Sequence, residues 1–113
     1  MGQLEALMLT LAVELPVALC LLLALRWTER VDVGRAAAVI AAATLLTHPV
    51  AWWASVVGLH GWVWSDKAMI IESAVVVAET GVLAGALPMR IWRAWVVAAV
   101  MNLASFGVGV ALG

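Results

Sequence analysis

The sequence predicts an all-α polytopic membrane protein: a bundle of four transmembrane helices in a single domain, 1–113, with both termini outside. Three observations carry that expectation. Of 113 residues, 66% are hydrophobic and 12% charged, with a mean hydropathy of +1.12, so polar side chains are too few to cover a water-soluble globule. Four apolar stretches each reach the roughly 20 residues that cross a hydrocarbon core of about 30 Å. Finally, Arg26, Arg30, Arg35, Arg90 and Arg93 fall in the first and third connectors while only Lys67 falls in the second. Positive residues near spans stay in the cytoplasm, which puts the termini on the other side, in a membrane expected to be a bacterial cytoplasmic one.

The first span, 4–25, has no basic residue before Arg26, so a cleaved signal peptide is not expected. At helical spacing Gln3, Thr10 and Glu14 share one stripe. Pro16 has no N–H for the carbonyl of Ala12. Cys20, the only cysteine, lies in an apolar run and excludes an intrachain disulfide.

The second span, 36–59, follows Asp32, a suitable N-cap, and carries Thr44, His48, Trp52 and Ser55 on one side. Thr47-His48-Pro49 reads either as a ligand motif or as a local distortion, since Pro49 leaves the carbonyl of Leu45 without its helical donor. The third span, 68–87, is expected to start at Ser65 with Asp66 and to stop before Pro88. Glu72 and Glu79, seven residues apart, share a face and are separated by about 10 Å along the axis, with Thr80 beside them. Gly81 and Gly85 lie on the opposite face as a G-x-x-x-G, suited to close packing on the alanine-rich second helix or on another copy of the chain. The fourth span, 94–112, presents Asn102, Ser105 and Gly109 together.

Tryptophans mark the ends of the spans. Trp27, Trp92 and Trp95 fall at the inner interface and Trp62 and Trp64 at the outer one, where an indole is most stable. Trp52 and Trp53 lie deeper. His60, in the second connector, is expected to be solvated. The runs Ala12-Val13-Glu14 with Arg26 and Val77-Ala78-Glu79 with Arg90 echo each other, as two parallel hairpins related by an axis along the membrane normal would. The second and fourth spans add little to that echo.

The chemistry lies at depth. Counting 1.5 Å per residue, Glu14, His48, Glu79 and Asn102 each come within roughly 5 Å of the midplane, and Glu72 sits nearer the outside. A charged residue at the centre of an inserted helix costs about 2.5–3.5 kcal/mol, so two glutamates cost roughly 5–7 kcal/mol. Hydroxyls and amides would glue helices at far lower cost, which makes these carboxyls candidates for ion or solute binding. Turned inward, the stripes form a site of Glu14, His48, Glu72, Glu79 and Asn102, supported by Thr44, Thr47, Trp52 and Ser105. A carboxyl cluster sharing one proton or one cation is the expected resting state. Glu14, His48 and Glu79 are the candidates should the cation be a metal.

The function expected from this pattern is a small transporter or channel for protons, cations or a small cationic solute, completed as a homodimer or higher oligomer. The alternative is an accessory subunit of a larger membrane complex without transport of its own. No His-Glu-x-x-His, serine nucleophile beside a base, haem-attachment or phosphate-loop motif occurs, so an enzyme is not expected and no cofactor is required by any motif. His48 and His60 are about 18 Å apart along a helix, too far to share a haem. A net charge of −1 argues against a nucleic-acid partner, since phosphate binding depends on clustered Lys and Arg. The partner implied by composition is the lipid bilayer.

Overall fold

The computed structural model describes residues 2–26 and 32–112. Among them the chain forms four long helices: α1, Gln3–Ala24; α2, Val33–Trp53, which runs on into a π-helical segment Ala54–Gly58; α3, Trp64–Ala86; and α4, Ile91–Leu112. All four are long and apolar enough to span a membrane. Trp27, Glu29 and Arg30 lie outside the described residues.

Helices α2, α3 and α4 each begin about one turn before the hydropathy boundary, because polar and aromatic residues at a span's end continue the helix at little cost. Asp32 does occupy the N-cap position of α2, and its carbonyl accepts the Ala36 N–H. Its side chain makes no capping bond. Ser65 and Asp66 do not cap α3 either: Val63 takes that position, and both fall in the first turn, where the Asp66 carboxylate faces the positive helix end. At the other end Leu87 is extended, as the residue before a proline tends to be.

Pro49 sits inside α2, and five residues later the helix widens. The Leu59 N–H reaches the carbonyl of Ala54 at 2.7 Å, a π-type bond, and the His60 N–H turns to Val57. The carbonyl of Ser55 is taken instead by the Lys67 ammonium at 2.9 Å, tying the end of α2 to the start of α3. The chain then reverses through Gly61, whose φ of 91° lies in the region that glycine adopts without steric cost. At the opposite end the Arg35 guanidinium donates to the carbonyl of Ala86 at 3.0 Å, closing the last turn of α3 with a cation at its negative end.

The helices form a ring in which α1 touches α2 and α4, α3 touches α2 and α4, and α1 and α3 face each other diagonally. Packing is uneven along its length. At the arginine-bearing end Ala18, Leu22, Ala36, Ile40, Leu83, Val97, Ala98 and Met101 are buried in one apolar cluster. Its alanines let the backbones approach closely. The outer surface is apolar as well: Val77 and Leu103 are each 70% exposed, while glutamates and an asparagine are inside. That inversion suits lipid as the solvent.

The expected packing of Gly81 and Gly85 against α2 does not occur. Both face outward, and a Cβ added at either would meet nothing within 4 Å. The cause is angular: Glu79, Thr80 and Leu83 turn inward, and at 100° per residue the two glycines then point away from the ring.

Candidate functional site

The residues that close the middle of the ring are polar. Glu14 of α1, Thr44 of α2, Glu79 of α3 and Asn102 of α4 are 1%, 1%, 0% and 5% exposed. Each is placed by the same periodicity that packs the apolar end. Glu14 lies four residues before Ala18, Thr44 four after Ile40, Glu79 four before Leu83, and Asn102 four after Ala98, one turn along the buried stripe in each case.

Hydrogen bonds join these residues across the ring. Thr44 Oγ1 donates to Glu14 Oε1 at 2.9 Å and Ser105 Oγ to Glu14 Oε2 at 2.7 Å. Asn102 Nδ2 donates both to Glu79 Oε1 and to the carbonyl of Ala98. Glu79 Oε2 lies 3.4 Å from Thr44 Oγ1 and 3.4 Å from Thr47 Oγ1. A hydroxyl owns one hydrogen, however, and each of these has a nearer acceptor: Glu14 Oε1 for Thr44, and the Ala43 carbonyl at 2.9 Å for Thr47. Glu79 Oε2 therefore faces two oxygens with no hydrogen to spare.

The arrangement is close to twofold. Each carboxyl is bonded from the helix that follows it, Glu14 by Thr44 and Glu79 by Asn102, and is met by a residue three positions further along in the other hairpin, Ser105 for Glu14 and Thr47 for Glu79. Thr44 and Thr47 on α2 thus occupy the roles of Asn102 and Ser105 on α4. The sequence hides this correspondence because the residue types differ while the spacing and the partners agree.

The layer is the floor of a vestibule. Toward the chain termini the ring opens into a cavity of about 240 Å³ lined by Thr10, Thr47, His48, Trp52, Ser55, Lys67 and Glu72 as well as by Glu14, Thr44, Asn102 and Ser105 of the layer; Glu79 does not line it. His48 stands one turn above Thr44. Its imidazole reaches none of Glu14, Glu79 or Asn102 by a hydrogen bond, and Nδ1 is enclosed without a partner. Glu72 stands about 10 Å above Glu79 and makes no hydrogen bond among the described residues. At the rim are Lys67, held on the Ser55 carbonyl, and Trp64, whose ring stacks on Phe106 of α4 with centroids 5.7 Å apart.

The expected residues therefore separate into two groups. Glu14, Glu79 and Asn102 meet directly, with Thr44, Thr47 and Ser105 between them. His48, Glu72 and Trp52 line the space above and do not bond to the layer. Pro16 and Pro49 are exposed, as are Ala12 and Leu45, whose carbonyls they leave without a donor. Pro16 follows Glu14 by two residues and so lies on the opposite side of α1, which keeps that carbonyl out of the layer. No group of three or more His, Cys, Asp or Glu among the described residues is placed to hold a metal ion, since His48 stands a turn from the carboxyls. Sequence reasoning missed the Trp64–Phe106 pair; an aromatic residue one turn beyond Asn102 was its only signal.

No protein-family model, characterised protein or solved structure matches the chain, so its function is read from the layer and the vestibule themselves.

Proposed function

We propose that the chain is a small membrane transporter or channel that moves protons, cations or a small cationic solute through the Glu14–Glu79 layer. The observation that carries this reading is the layer's missing hydrogen: two buried carboxyls from diagonal helices share too few donors, beneath a vestibule containing a further carboxylate. Glu72 supplies an intermediate stop between rim and floor, and His48 a titratable wall. Below the floor the apolar cluster closes the path, so passage requires the α1–α2 hairpin to move against the α3–α4 hairpin. Two hairpins related by a near-twofold axis can rock in that way.

In this reading the chain is inserted in a bacterial cytoplasmic membrane with both termini outside. Arg26, Arg35, Arg90 and Arg93 lie at the sealed end, where the positive-inside preference puts the cytoplasm. The vestibule then opens outward. Outward-facing Gly81 and Gly85 give a second copy a surface for close approach, and we place the homodimer contact there.

Reconstitution tests this. Proteoliposomes containing a pH-sensitive dye, challenged with a panel of monovalent, divalent and organic cations, should show flux for wild type and loss of it for Glu79→Gln and Glu14→Gln. Equal fluxes in all three would remove the Glu14–Glu79 layer as the path, and no flux in any of them would remove the transport reading and favour the accessory-subunit alternative.

A further inference from the structure

A second space borders the vestibule, on the side of the apolar surroundings rather than at the rim. Between α3 and α4 lies a cleft of about 580 Å³, within the range of roughly 300–1,000 Å³ that holds drug-sized ligands. Met69, Val76, Ala99 and Leu103 form its apolar walls. Ala68, Glu72, Asn102 and the Trp64–Phe106 pair line both this cleft and the vestibule, so these side chains form a shared wall between the two spaces. The stacked rings bridge α3 and α4 at the outer end of that wall.

Charge distinguishes the two ways in. Lys67 lines the vestibule at its rim but not the cleft. A cation descending from the rim passes an ammonium group, whereas one entering between α3 and α4 meets, among the described residues, no basic residue and a single carboxylate, Glu72. An unpartnered carboxylate at the back of an apolar cleft is costly and electrostatically complementary to a positive group carrying its own apolar surface.

We infer that the α3–α4 cleft is a lateral portal that takes an amphipathic organic cation from the lipid, its apolar body against Met69, Val76 and Leu103 and its positive centre at Glu72. This rests on the reading of the vestibule as a cation path and names the class of solute. Depth selects the occupant further. Glu72 is eight residues into α3, about 12 Å from the helix end, below the level of lipid headgroups. The positive centre must therefore tolerate hydrocarbon, which a shielded phosphonium or an aromatic quaternary or tertiary ammonium does and a phospholipid headgroup, with its phosphate, does not.

Binding of radiolabelled tetraphenylphosphonium to the full chain in phosphatidylcholine nanodiscs tests the portal. Tetramethylammonium, which has the charge without the apolar body, serves as competitor. The portal predicts saturable binding that weakens about tenfold or more in Glu72→Gln and in Ala99→Trp, which fills the cleft. Leu103→Trp, at a position already 70% exposed, is a second cleft-filling variant that leaves the packing intact and should weaken binding in the same direction. Leu46→Trp, on the α2–α3 side, should bind as wild type does, and tetramethylammonium should displace the probe only at far higher concentration. Non-saturable partitioning, or equal affinity in Glu72→Gln and both cleft-filling variants, would overturn the portal.

The two proposals fail separately. Cation flux that depends on Glu79, with phosphonium binding indifferent to Glu72, rejects the portal and keeps transport. Phosphonium binding that requires Glu72 and an open cleft, in a protein passing no ion in proteoliposomes, keeps the portal and rejects transport.

Discussion

Thr44→Val removes one hydroxyl from the centre of the layer and leaves the shape of the side chain almost unchanged. Thr44 is 1% exposed, and in the variant Glu14 Oε1 loses its 2.9 Å bond. An interhelical hydrogen bond in a membrane protein averages about 0.6 kcal/mol and reaches about 1.7, while a buried acceptor stripped of its donor costs roughly 1–3 kcal/mol. The second range applies here because no other described residue donates to Oε1. The expected loss is therefore about 1–3 kcal/mol, from a few-fold to about a hundredfold in the unfolding equilibrium. Unfolding by sodium dodecyl sulfate in mixed micelles, followed by far-ultraviolet circular dichroism, measures it. Thr10→Val is the control, because Thr10 bonds only to the carbonyl of Ala6 in its own helix and should change stability by less than about 0.5 kcal/mol. Thr44→Ser, which keeps the hydroxyl, should fall between the two. If Thr44→Val is no less stable than Thr10→Val, the bond across α1 and α2 is not formed and the layer as described is wrong.

The two glutamates should respond differently to amide substitution. Glu79→Gln places an N–H opposite the oxygens of Thr44 and Thr47, so its stability should match or exceed wild type in the same titration. Glu14→Gln sets an N–H against a hydroxyl that already donates and should lose about 1 kcal/mol. Replacing Arg35 with Ala removes the cation from the end of α3, and the amides of Leu87 and Met89 should exchange hydrogen faster while those of α1 do not. Enlarging Ala98, at 0% exposure, to Leu should cost about 1–3 kcal/mol by overpacking. Gly81→Leu meets open space and should leave the monomer as stable as wild type while dissociating a homodimer, read by light scattering in detergent.

Much of the layer was legible in the sequence because two regularities suffice for it. A rise of 1.5 Å per residue gives depth and 100° per residue gives face. Together they brought Glu14, Glu79 and Asn102 to one level on inward sides, with Thr44, Thr47 and Ser105 as neighbours. His48 shows where this reasoning fails: a depth count accurate to one turn cannot distinguish a side chain in the layer from one standing over it. The carbonyl of Ala12, freed by Pro16, stays out of the layer for a related reason, since closeness in sequence to Glu14 is not closeness in angle. Helix ends came out a turn too short because hydropathy detects the apolar core of a span and not the helix that continues through Arg35 or Trp64. The π-helical segment and the α3–α4 cleft left no periodic signal. The cleft depends on how α3 and α4 pack, with alanines close at one end and the Trp64–Phe106 stack between them at the other.

The central claim is a vestibule open to one side, ending on a buried carboxyl layer above a sealed half. Thiol accessibility tests it most directly. In a Cys20→Ala background, single cysteines at Ala51, which lines the vestibule, and at Ala98, in the sealed half, are exposed to a membrane-impermeant maleimide added to either face of the membrane. Ala51→Cys should react only from the side of the termini, and Ala98→Cys from neither. Labelling of Ala98→Cys from the arginine side, or an Ala51→Cys that reacts from no side, would contradict the account.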